Sequence, residues 1–94
     1  MGPESHPRRR GDVLTNEAGD TVVLLTPESG EYFTLNEVGG RIWQLADGSR
    51  SVTEIAGLLA AEYDAPPEEI EADALEVLGE LADARLVSDG PSAP

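Results

Sequence analysis

The chain of 94 residues has no cysteine and no lysine, one histidine, one tryptophan, one phenylalanine and two tyrosines. Without cysteine there is no disulfide, no thiolate metal site and no cysteine nucleophile. The one histidine, His6, lies in the N-terminal tail, so neither a Ser-His constellation nor a histidine metal site is expected. No apolar run approaches the roughly 20 residues that a membrane-crossing helix needs. The charged N-terminal stretch leads into no apolar segment, so it does not read as a secretory signal. His6 also stands where the myristoylation pattern wants Ser or Thr. A cytoplasmic protein without metal or cofactor is the expectation.

Acidic charge, by contrast, is plentiful. Nineteen Asp and Glu face six basic residues, all Arg. Arg8, Arg9 and Arg10 fall in the N-terminal tail, so from Asp12 onward 18 acidic residues oppose three basic ones. Such a surface repels nucleic acid and anionic membrane and favours basic or apolar partners. The length sets one small domain with a modest core.

The stretch Glu31 to Gly48, EYFTLNEVGGRIWQLADG, organises the chain. Glu31–Leu35 is aromatic and β-prone and predicts a strand. Val38, Ile42 and Leu45 then mark one face of a helix over 37–46, with Asn36 as N-cap and Gly48 just beyond its end. Upstream, Val13–Thr15 predicts a short strand, Asn16–Asp20 a turn, and Thr21–Thr26 a strand stopped by Pro27. Downstream, Ser51 and Glu54 form a capping box opening a helix near 52–63. Pro67, Glu68 and Glu69 open a third helix running to about Ala84, with Ile70, Ala74, Val77, Leu78 and Leu81 on one face. Residues 1–11, with two prolines and no periodicity, read as a disordered tail, and 88–94 as a frayed end, leaving 12–87 as the domain. The fold class is α+β: a three-stranded antiparallel sheet followed by three helices, βββααα, with the spacing of a winged helix-turn-helix. A meander puts strand 31–35 at an edge.

Charge argues against a DNA-reading third helix. It carries Glu68, Glu69, Glu71, Asp73, Glu76, Glu80 and Asp83, with no basic residue before Arg85. Carboxylate pairs such as Glu68-Glu69 fit a solvated helix face better than acid-base chemistry, and no phosphate loop surrounds Gly39-Gly40, so no enzyme is expected. The Asp-Ser-Leu tripeptide of acyl carrier proteins is absent. The two early-helix glycines point to close packing, since each costs about 1 kcal/mol relative to Ala. What remains is an edge strand with no Pro or Lys to blunt it, suited to β-augmentation by an extended peptide. Candidate binding residues are Glu31, Tyr32, Phe33 and Thr34 on the strand, with Asp73, Glu76, Val77 and Glu80 on the third helix, chosen over the Leu75/Ala82 flank. Strand parity leaves open which of Tyr32 and Phe33 faces the core. The run Val22–Leu25 leaves open an aliphatic patch on the outer sheet face. The alternative function is an acidic module that docks a basic protein.

The run Tyr32-Phe33-x-Leu35-Asn36-x-x-Gly39-x-x-Ile42-Trp43 resembles the PqqD-like family, the precursor-recognition domains of ribosomally made and post-translationally modified peptides. The similarity spans about 12–87. The short, acidic, stand-alone form is most similar to the recognition protein of lasso-peptide pathways. The resemblance implies a βββααα fold without catalysis and a precursor leader segment added to strand 31–35 in the groove against the third helix. It also implies hand-over to a leader peptidase, in lasso pathways a cysteine protease, with a cyclase acting afterwards. No nucleic acid and no membrane partner is implied. Gly40 departs from the common pattern, where a larger residue is frequent beside Gly39.

Overall fold

A computed structural model describes residues 1–89. Eight elements follow in order: β1 (Pro7–Arg9), β2 (Leu14–Ala18), β3 (Thr21–Leu25), β4 (Tyr32–Leu35), α1 (Glu37–Leu45), α2 (Val52–Tyr63), α3 (Pro67–Asp83) and β5 (Val87–Asp89). The central sheet is an antiparallel meander in the order β2-β3-β4, and β1 pairs with β5 in a second, two-stranded sheet.

Local chemistry accounts for most boundaries. Gly19, at φ +63°, opens the two-residue turn between β2 and β3, where hairpin twist demands a positive φ. Asn36 caps α1 by accepting from the Gly39 amide at 2.7 Å. The capping box of α2 is complete: the Ser51 hydroxyl accepts from the Glu54 amide, and the Glu54 carboxylate accepts from the Ser51 amide. Pro67 starts α3, its missing N–H being one a helix leaves unbonded anyway.

The core lies between the inner face of the sheet and the three helices. Leu24, Ile42, Ile55, Leu59, Leu78 and Leu86 are fully buried in it. Gly40 lets α1 approach β3: a Cβ there would stand 2.4 Å from Cγ2 of Val22, a branched side chain with little freedom to turn. That contact explains the departure at Gly40, whose larger counterpart could not fit over Val22.

Two expectations are corrected. Asn16–Ala18, read as turn, belong to β2, because pairing with Val23, Val22 and Thr21 outweighs the weak strand preference of Asn, Glu and Ala. Residues 1–11, read as a disordered tail, contain β1, paired through Arg8 and Ser88 with β5. The physical reason is the supply of orphan helix-end groups. The carbonyls of Pro3 and Ser5 accept from the Thr53 and Val52 amides at the start of α2. The Arg9 guanidinium donates to the Trp43 and Gln44 carbonyls at the end of α1. The Asp89 carboxylate accepts from the His6 amide and the Ser5 hydroxyl. The folded body therefore starts before residue 12 and takes in Ser88 and Asp89; the rest of the expected frayed end, 90–94, lies outside the described residues.

Candidate peptide-binding groove

The register defines which groups β4 offers. The Thr26 amide donates to the Glu31 carbonyl at 2.9 Å, so Thr26 and Glu31 are a bonded pair just outside the ladder. In an antiparallel ladder bonded and non-bonded pairs alternate. Phe33 and Leu35 therefore turn their N–H and C=O toward Leu24 and Val22 of β3. Tyr32 and Thr34 turn theirs the other way, to a side where no strand is paired among the described residues. Side chains follow the same parity. Phe33 and Leu35 are half-buried against the core, while Tyr32 is 70% exposed on the outer face. The choice left open by the sequence thus falls to Phe33 as the inward residue.

Where β4 runs into α1, a cleft of about 260 Å³ opens toward α3. Asn36, Val38 and Gly39 line one side and Asp73, Glu76 and Val77 the other. A Cβ on Gly39 would sit 3.3 Å from the Leu35 side chain and 3.2 Å from Asn36 Oδ1, so the glycine keeps this corner tight.

Of the expected residues, Asp73, Glu76 and Val77 meet in the cleft, and Tyr32, Phe33 and Thr34 form the strand that leads into it. Glu80 lies one turn further along α3 and does not line the cleft. Glu31 precedes the strand and stays in the turn, where its carboxylate accepts from the Ser29 hydroxyl at 3.2 Å. Asn36, Val38 and Gly39 line the cleft without having been expected to. Their cap and packing roles are visible in sequence, but their meeting with α3 is not.

The ion pairs and the shifted carboxyls lie outside the groove. Arg10 pairs with Asp12 and Glu28, Arg41 with Glu62, and Arg50 with Asp47. Hydrogen bonds from Ser51 hold the Glu54 carboxyl below its usual range, bonds from Ser49 do the same for Asp47, and the Arg41 guanidinium does so for Glu62. Burial pushes the Tyr63 phenol up. None of these residues borders the cleft. Asp73, Glu76 and Glu80 have no ion pair among the described residues. No group of three His, Asp or Glu that could hold a metal occurs among the described residues, and no helix there is long and apolar enough to cross a membrane.

An unpaired strand edge leading into a cleft against a helix is the geometry of the class of peptide-recognition domains that work by strand addition. The comparisons give the class its family. The family described as Coenzyme PQQ synthesis protein D (PqqD) matches residues 21–87. A PqqA binding protein of Xanthomonas oryzae pv. oryzae (strain PXO99A) is 42% identical over 72 residues, 77% of this chain and 76% of that protein. The solution structure of the PqqD truncation of Methylobacterium extorquens PqqCD, a stand-alone recognition element for ribosomally synthesized and post-translationally modified peptides, superposes with a TM-score of 0.76 at 34% identity, covering 94% of this chain and 93% of that one. A lasso peptide synthetase B1 complexed with the leader peptide superposes with a TM-score of 0.75 at 25% identity, covering 88% and 98%. This chain belongs to the PqqD family.

Proposed function

We propose that this protein binds the leader segment of a ribosomally made precursor peptide as an added strand on β4, in the groove against α3. It acts without catalysis and presents the bound precursor to a leader peptidase, in a pathway of the lasso-peptide kind. The observation that carries the reading is the outward N–H and C=O pairs of Tyr32 and Thr34, beside a cleft whose far wall is α3. A related fold is solved with a leader peptide bound, and another relative is named for binding PqqA.

Magnitudes assign work to both parts of the groove. Four main-chain hydrogen bonds at about 0.5–1.5 kcal/mol each give about 2–6 kcal/mol. Association and ordering cost at least about 4 kcal/mol. Sub-micromolar binding needs about −8 kcal/mol or better. Apolar leader side chains entering the Val38–Val77 cleft supply the remainder, at about 25 cal/mol per Å².

Presentation to a partner has its own support. Leu14, Leu25 and Tyr32 lie side by side across the outer sheet face, 57%, 36% and 70% exposed. Asn16, Val23 and Thr34 form the next row, then Ala18 and Thr21, so this face carries no charge on a chain of net charge −13. A strand added to β4 widens the same face, so a protein docking there reads leader and carrier together. Val22 and Leu24 point inward, leaving Val23 and Leu25 as the aliphatic part.

The test is amide exchange with and without a leader peptide encoded beside this chain's gene. Binding by strand addition protects the Tyr32 and Thr34 amides specifically. Protection confined to α3 would refute it and favour docking of a basic protein on the acidic helix, which salt would weaken steeply.

A further inference from the structure

Strand addition leaves open what side chains the guest must carry, and the cleft narrows the choice. Resting on the function proposed above, we infer that the accepted segment is cationic: it carries Lys or Arg two residues from an apolar side chain. The apolar residue enters the cleft between Val38 and Val77, and the basic one meets Asp73 and Glu76.

Three observations support this assignment. First, the cleft is two-sided in chemistry, with Val38, Gly39 and Val77 against the carboxylates of Asp73 and Glu76. Second, the chain places its few arginines elsewhere. Arg9 binds the carbonyls that end α1, and Arg10, Arg41 and Arg50 pair with carboxylates outside the groove. Asp73 and Glu76, without an ion pair like most carboxylates of the chain, are the ones that line the cleft a guest would occupy. Third, the spacings agree. Side chains two apart on a strand share a face and stand about 6–7 Å apart. Asp73 and Val77, four apart on α3, are separated by about 6 Å of helix rise. Where the guest runs along α3, one apolar and one basic residue in alternation meet one valine and one carboxylate. An acidic guest would instead set like charges against each other, which excludes wrong partners.

The test is selection from a random decapeptide display library. It is run in parallel on the full chain, on the Asp73→Lys/Glu76→Lys variant and on Thr34→Pro, with thermal melts to show that each folds. The full chain is expected to enrich Lys or Arg at a fixed alternation from an apolar residue. The charge-reversed variant is expected to enrich Asp or Glu there, and to bind wild-type-selected peptides about tenfold more weakly. The same peptides from both, with none from Thr34→Pro, would overturn the cationic assignment and leave strand addition intact. Equal enrichment by Thr34→Pro would overturn both.

Discussion

The sheet has two margins, and they are unlike. β2 and β4 each pair only with β3, so both present unpaired backbone on their far sides among the described residues. β2, Leu14–Ala18, is exposed at every position and sets Glu17 opposite Val22, whose side chain points to the core. An inward-pointing charge is one of the ways natural sheets close an edge to strangers. Glu17 is further engaged by the Gln44 amide at 3.4 Å, and Trp43 Nε1 donates to the Thr15 hydroxyl at 3.1 Å. β4 has no charge at all, and Phe33 and Leu35 hold it to the core while Tyr32 and Thr34 stay open. On the function proposed, position in a sheet does not by itself make an edge receptive; the inward residues and the neighbouring helix do.

Proline separates the two margins most sharply. Thr34→Pro removes an N–H that β3 does not use and puts a ring where a guest strand must lie. Leader binding measured by calorimetry is expected to fall at least about tenfold, with the fold kept. By the same alternation the Glu17 amide faces away from β3, so Glu17→Pro is equally tolerated by the ladder and should leave binding within about twofold. Equal losses at both positions would erase the distinction. Phe33→Pro is a different experiment, since it breaks a ladder bond to Leu24 and weakens the sheet itself.

Both margins depend on β3, and β3 depends on its contact with α1. Gly40→Ala drives a methyl into Val22 at 2.4 Å, so urea unfolding should show a loss of about 1–3 kcal/mol. Pairing it with Val22→Ala should recover part of that loss, as expected of two residues that share one space. Simple additivity would mean that α1 yields instead, and that the register of the two edges does not rest on this contact.

These contrasts show how much the sequence carries. Asn36, the Ser51–Glu54 box and Pro67 are local signals, each satisfied by atoms within a few residues, and the helices stand where those signals put them. The meander order follows from short connections. The N-terminal strand was illegible because its partners, Val87–Asp89 and the ends of α1 and α2, are remote in sequence. The groove is legible by halves: β-prone residues without blunting mark the edge, and helical spacing places Asp73 and Val77 on one flank. That this flank meets Asn36, Val38 and Gly39 depends on how α3 packs, which no local pattern states.

The smallest effect tests whether the margins are independent. Trp43 is 2% exposed and its indole N–H has the Thr15 hydroxyl as acceptor. Thr15→Val keeps the shape and removes the acceptor, so a nearly buried donor loses its partner. Since Thr15 lies on the exposed edge strand, water can approach, and the cost should stay near the low end for such a loss, about 1 kcal/mol in urea unfolding. Leader affinity should not move, because the bond ties β2 to α1 while the proposed guest site is on β4 and α3. A fall in affinity matching the fall in stability would mean that the closed margin tunes the open one through Trp43. β2 would then be part of the recognition apparatus and not its inert counterpart.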